Sequence, residues 1–317
     1  MNPVVRLDRV SKRFGHVQAL DDVSLQITPG SVCALLGANG AGKSTALKIL
    51  LGLEQADSGK TEVLGMSSAT HGLEIRQRVG YVAERPTLYE WMTVAEIGWF
   101  AAGFYPTGFQ RVYQQYIDRF GLDERQKIRN LSKGMKSKVA LALSLAHRPD
   151  LLILDEPTSG LDPLVRREFL ESMIDIAAEG RTVLLSSHQV HEVERVADTV
   201  AILLNGKLVC VERLEDLKQS AREVVITMPD LKTPPPDLPG RLLGRAAFGH
   251  EHIVVVRDLD EDLLAPQMTA ANLAYEVRRP SLEDILLTLL RESRHRAAAV
   301  REDATAPAVA HAGTEER

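Results

Sequence analysis

The stretch GANGAGKST, Gly37 to Thr45, sits between a short continuous apolar run (Val32 to Leu36) and a helix-like segment, Ser44 to Leu53. It matches G-x-x-x-x-G-K-[ST] in the strand–turn–helix context that its chemistry requires. The loop Gly37, Asn39, Gly40, Ala41 and Gly42 is rich in glycine, so the backbone curls and several N–H groups point at one phosphate. The start of the following helix, with Thr45 in its first turn, adds the positive end of its dipole. Lys43 reaches β- and γ-phosphates, and the Ser44 hydroxyl faces Mg²⁺. An apolar strand running straight into such a turn is a strand covered on both faces, the hallmark of α/β architecture.

A phosphate loop of this kind requires a carboxylate at a neighbouring strand end. LLILDEP supplies it: four apolar residues, Leu151 to Leu154, place Asp155 at the carboxyl end of a buried strand. Ligands bind at that end in open α/β sheets. Asp155 holds Mg²⁺ there, directly or through water, and the adjacent Glu156 accepts a proton from attacking water.

Outward from these two strands the pattern repeats. Alternation from Val23 to Ile27 reads as a half-buried strand, closed by the turn Pro29-Gly30. Phe109, Val112, Tyr113, Tyr116, Ile117 and Phe120 follow helical spacing. Val165, Phe169, Met173 and Ala177 mark one helix face, followed by strands at Val183 to Leu185 and Val200 to Leu203. Asn205-Gly206 is a hairpin turn. Strands alternating with helices predict a mainly parallel sheet. Near residue 213 the composition shifts. TPPPDLPG (Thr233 to Gly240) excludes helix and central strand. Strand-like runs surround it at Glu223 to Met228, His252 to Arg257 and Leu273 to Val277. Ser281 and Asp284 form a capping-box pattern at a helix start. Residues 213–294 therefore read as an appended α+β module, and the Ala-rich, mixed-charge residues 295–317 as a disordered tail.

The bulk numbers narrow the functional class. The 317 residues suffice for one large domain and a smaller one. A net charge of −5 gives no basic field for nonspecific nucleic-acid binding. The two cysteines, Cys33 and Cys210, lie in apolar runs and read as reduced core residues in a cytosolic setting. No signal-peptide pattern opens the chain, and no apolar run approaches the roughly 18 residues of a membrane span. The expectation is a protein that is soluble or reaches a membrane only through a partner.

Taken in order, the motifs closely resemble those of the ATP-binding cassette (ABC) ATPases, the motor subunits of membrane transporters, over residues 3 to 212. GANGAGKST matches the Walker A loop and LLILDE the Walker B strand. Phe14, in KRFG, matches the aromatic that stacks on adenine; its other reading is a core residue. Glu84, in YVAERP, stands at the Q-loop position, and LSKGM matches the signature. SGLD (Ser159 to Asp162) matches the D-loop, and His188, in LLSSHQ, the switch histidine. The resemblance implies a P-loop NTPase fold: a mainly parallel sheet with helices, antiparallel edge strands and a helical subdomain at about residues 85–147, all within a domain of residues 1–212.

The resemblance also implies a composite site. Two cassettes pack head to tail, and Ser132 and the Gly134 N–H bind the γ-phosphate of ATP held by the partner's P-loop. Asp162 either orders that dimer contact or caps the Val165 helix. His188 contacts the γ-phosphate, Glu156 polarises water, and Ser44, Asp155 and Glu84 surround Mg²⁺. Three residues depart from the family pattern. Glu84 replaces Gln and adds negative charge, Lys133 replaces the first signature Gly, and Met135 replaces the terminal Gln. The implied partners are a second copy or a paralogous cassette, and a multi-helix membrane permease on the inner face of the cell membrane. No nucleic acid is expected. The permease would dock on Thr87 to Pro106, which holds both tryptophans; the other reading of that stretch is ordinary helix core. LSKGM, YxxE and SLEDI together resemble exporter-type cassettes. Import, a soluble cassette that remodels ribosomes or DNA, and a catalytically dead regulatory cassette are the alternatives.

Overall fold

A computed structural model describes residues 2–105, 107–230 and 233–292. The tail expected at 295–317 lies outside the described residues. The chain divides into two compact units, Met1–Leu217 and Lys218–Arg317.

The first unit opens with β1 (Val5–Phe14) and β2 (Val17–Ile27), an antiparallel pair. Then come β3 (Val32–Leu36), α1 (Lys43–Leu50), β4 (Ser58–Val63), β5 (Met66–Ser67), α2 (Gly72–Arg78) and β6 (Val79–Val82). Three helices follow: α3 (Val94–Ala102), α4 (Phe109–Arg119) and α5 (Lys133–Leu145). The α/β pattern resumes with β7 (Leu151–Asp155), α6 (Pro163–Ala178), β8 (Thr182–Ser187), α7 (Val190–Val196), β9 (Thr199–Leu204) and β10 (Lys207–Arg213). Two sheets result. One is antiparallel, in the order β2-β1-β4-β5. The other runs β10-β9-β3-β8-β7-β6, with β9, β3, β8, β7 and β6 parallel and β10 antiparallel at its edge.

Every residue of β3, β7 and β8 is buried: the apolar runs, as a sheet covered on both faces requires, and with them the polar Asp155, Thr182, Ser186 and Ser187. One continuous core links the two sheets through α1: Leu47, Ile49 and Leu50 pack with Leu7, Leu25, Leu35 and Ile153. The helical layer has its own anchor. Tyr113 is fully buried and its hydroxyl donates to the Val94 carbonyl at 2.8 Å. Gly98 presents bare backbone to that ring, where a Cβ would stand 2.1 Å from Tyr113 Cε1.

Two expectations need correction. The helix after the Gly-rich loop ends at Leu50, not Leu53, and Gly52 and Leu53 turn back to bond the Ile49 and Lys48 carbonyls. Cys210 is not a core residue; it is half-buried on β10, an edge strand whose exposed positions alternate, whereas Cys33 is buried. The Cys33 thiol is pushed up to about 12 by that burial.

Beyond β10, α8 (Leu214–Ser220) leads into the second unit. It comprises β11 (Ala221–Thr227), β12 (Arg241–Phe248), β13 (Glu251–Arg257), α9 (Glu261–Ala270), β14 (Ala274–Arg278) and α10 (residues 282–292). Its antiparallel sheet runs β12-β13-β11-β14. One face packs Val224, Ile226, Val254 and Val256 against Leu264 and Met268 of α9. On the opposite face Gly244, paired with Val255, lies against Thr288 of α10. The Ser281–Asp284 capping box forms in both directions, at 3.0 and 3.1 Å.

Candidate functional site: a nucleotide cleft at the strand ends

The loop after β3 curls around a cleft of about 440 Å³ at the carboxyl ends of the parallel strands. Gly42 is decisive in that curl. Its φ is 107°, and a Cβ there would stand 2.2 Å from the Ala19 carbonyl oxygen. Phe14, Asn39, Gly40, Ala41, Gly42, Lys43, Ser44, Thr45, Glu84, Glu156 and His188 all border the cleft. Gly37 lies at the base of the loop, where a Cβ would meet the Leu203 carbonyl at 2.3 Å.

A chain of charged groups crosses the cleft floor. Lys43 Nζ donates to the Gly37 carbonyl at 2.7 Å and pairs with Glu156 Oε1 at 2.9 Å. Glu156 Oε2 lies 2.7 Å from His188 Nδ1. Facing a carboxylate, which only accepts, Nδ1 is the donor of this bond. Lys43 is 5% exposed and Glu156 7%; the ammonium is met by the loop carbonyls and the carboxylate, and the carboxylate by Lys43 and His188, rather than by water. Glu156 takes a left-handed backbone, φ 48°, which is costly for a residue with a Cβ and turns its side chain towards Lys43.

Beside this chain, Ser44 Oγ donates to Asp155 Oδ1 at 3.0 Å. A hydroxyl and a carboxylate 3 Å apart are the oxygen donors that Mg²⁺ takes from protein when phosphates supply more of its shell, so these residues fit the ion. Exposed Glu84 faces the same cleft. Phe14 is 46% exposed, not core, and the Lys12 ammonium stands 5.0 Å from its ring centroid.

Ser132, Gly134 and Asp162 do not border the cleft. Ser132 caps α5 by accepting from the Met135 N–H at 3.2 Å. Asp162 caps α6, accepting from Leu164 and Val165 N–H groups. Gly134 is packed so closely on Val165 that a Cβ would sit 2.7 Å from Cγ1. Lys133 occupies the first helical position of α5 with an ordinary backbone, so the Cβ penalty expected from replacing a glycine does not arise. Its ammonium instead lies over Gly160.

One supporting residue was not legible in the sequence. Ser186, fully buried on β8, donates to Asp155 Oδ1 at 2.7 Å and accepts the Glu156 N–H at 2.9 Å. Buried Thr158 and Glu192 and half-buried Arg166 and Gln189 form a second polar group between the loops that carry the cleft. The only sequence hint was their place next to DEP and SHQ.

A Gly-rich phosphate loop, a strand-end Asp-Glu pair and a facing histidine define a P-loop nucleotide-binding protein. Residues 20–159 match the family model described as "ABC transporter". An uncharacterized ABC transporter ATP-binding protein of Nostoc sp. is 41% identical over 63% of this chain, which spans 62% of that protein's length. Another, from Methanocaldococcus jannaschii, is 31% identical over 90% of this chain and 99% of its own length. The probable multidrug ABC transporter ATP-binding protein YbhF of Escherichia coli is 39% identical over 69% of this chain, which spans 39% of it. A solved ATP-binding subunit of an ABC transporter is 33% identical and superposes with a TM-score of 0.63, over 68% of this chain and 92% of that one. The chain belongs to the ABC transporter ATP-binding family, whose cassettes are ATPases.

Proposed function

We propose that this chain binds and hydrolyses Mg-ATP at a site completed by a second cassette, and that the cycle powers a separate membrane permease. The observation that carries this reading is the separation of parts. Lys43, Glu156 and His188 are joined in one cleft, while Ser132 and Gly134, with their phosphate-seeking helix start, lie outside it. A partner packed head to tail brings its own Ser132 and Gly134 to the open side of the cleft.

Phosphoryl transfer to water is mostly positioning and charge stabilisation. Ser44 and Asp155 would hold Mg²⁺, which would supply charge neutralisation at the phosphate oxygens. Lys43 leaves Glu156 for the β- and γ-phosphates, and the freed Glu156 carboxylate orients and polarises the attacking water. His188, already against Glu156, contacts the γ-phosphate. Phe14 stacks on the adenine at the cleft's rim. Glu156→Gln keeps this geometry and removes the base. We expect it to hydrolyse at least 100-fold more slowly and to sediment as an ATP-bound dimer. A variant that stays monomeric in saturating Mg-ATP contradicts the two-copy site.

The permease reading is supported by an aromatic surface. Trp91 is 66% exposed, Trp99 72%, Phe104 69% and Tyr89 49%. Tyr89 packs edge-on to Phe100, Phe100 to Phe104, and Tyr89 against Trp91, so Tyr89, Trp91, Phe100 and Phe104 form one patch. No helix among the described residues is long and apolar enough to cross a membrane. The chain would then sit at the inner membrane face through its partner. Replacing Tyr89 and Trp91 with Ala should release it from permease-containing membranes while its ATP hydrolysis persists. Export is the direction we assign, from the LSKGM and SLEDI features and from the similarity to YbhF.

A further inference from the structure

Between the loops that carry the cleft lies an ion pair that the hydrolysis steps do not use, its carboxylate buried and its guanidinium partly exposed. Glu192, on the first turn of α7, is 1% exposed and pairs with Arg166 Nε of α6 at 3.1 Å. The pair reaches into both loops that carry the site. From the β7–α6 loop, Thr158 Oγ1 donates to Glu192 Oε2 at 2.5 Å, and Arg166 Nη2 donates to the Leu161 carbonyl at 3.1 Å. From the β8–α7 loop, Arg166 Nη1 donates to Gln189 Oε1 at 2.8 Å, and the Gln189 N–H donates to Ser187 Oγ at 2.9 Å. These contacts bracket the functional residues. Leu161 precedes Asp162, while Ser187 and Gln189 flank His188.

We propose that Arg166 and Glu192 are positioning residues that make the D-loop and the switch-histidine loop move as one body. A guanidinium offers a rigid planar fork of donors, so it ties three acceptors at fixed angles. Its carboxylate partner is out of water and pairs with no other cation among the described residues, so the pair resists separation. When a second copy presses on the D-loop, the displacement passes through Leu161 and Arg166 to Gln189. His188 then shifts against Glu156. The state of the seam between copies is thereby reported to the opposite side of the catalytic carboxylate. This inference rests on the two-copy site proposed above.

The test uses the full chain and compares Glu192→Gln and Gln189→Leu with wild type. Glu192→Gln removes the charge at nearly constant volume. Gln189→Leu removes only the link from Arg166 to the histidine loop, and serves if the first variant fails to fold. For each, ADP affinity, melting temperature, kcat, KM and the Hill coefficient for ATP are measured. Wild type should show a Hill coefficient above one, at most about two for two sites. The folded variants should bind ADP normally, lose about tenfold in kcat, and show a Hill coefficient near one. A merely structural role lowers activity in proportion to the folded fraction and leaves cooperativity intact; that outcome overturns the inference alone. A wild type without cooperativity overturns this inference alone, whereas a wild type that stays monomeric in saturating Mg-ATP overturns the two-copy reading and this inference with it.

Discussion

Ser186 illustrates how much one buried hydroxyl decides. It stands opposite Asp155 in the parallel β7–β8 ladder and ties both acidic residues of the cleft to the next strand. Ser186→Ala leaves the Glu156 N–H without its partner and takes one donor from Asp155. The expected loss is about 1–3 kcal/mol, read as a lower urea midpoint at unchanged slope. Gly42→Ala acts differently, because the added Cβ runs into the Ala19 backbone. It should abolish nucleotide binding, measured with a fluorescent ATP analogue. Gly42 was legible from its motif; Ser186 was not. A motif is local in the chain, whereas the Asp155–Ser186 pairing spans 31 residues and exists only once the strands are in register.

Helix ends and strand registers show the same division. The start of α5 was readable from Ser132, and its cap forms as that residue type dictates. By contrast, β1 hid its pattern. Val5, Leu7, Val10 and Lys12 are its buried positions, so the two-residue period slips between Leu7 and Val10, where Arg9 turns left-handed at φ 51°. A strict alternation search passes over such a strand. The end of α5 leads to a pH dependence. His147 stacks on Tyr105 with centroids 4.6 Å apart, and burial, aided by the Arg181 charge, holds its imidazole below the usual value of about 6.5. It therefore stays neutral to lower pH in the folded chain than in the unfolded chain, which binds a proton below about 6.5. The stability this burial preserves is complete above about pH 6.5 and drains away as pH falls through the folded value. Replacing His147 with Phe keeps a ring against Tyr105 and removes the proton. The variant should lose less melting temperature than wild type between pH 7.5 and pH 5.

At the scale of the molecule, the parallel sheet and the cleft at its carboxyl edge follow from a few apolar runs and one Gly-rich turn, whereas the strand order is visible only in the fold. The second unit was less legible. β12 and α9 escaped the sequence reading because LLGRAAF and EDLLAPQMTA have short, broken periods, and Pro266 sits inside the helix. Its two-sided sheet has a core of its own. The account's central claim belongs to this scale: each nucleotide is finished by two chains. It is tested most directly by ATP turnover per molecule across a serial dilution, for wild type and Ser132→Ala. We predict that wild-type turnover per molecule falls as the protein is diluted below its self-association range, and that Ser132→Ala is slow even when concentrated. Turnover that stays constant on dilution and survives the loss of Ser132 would contradict the account.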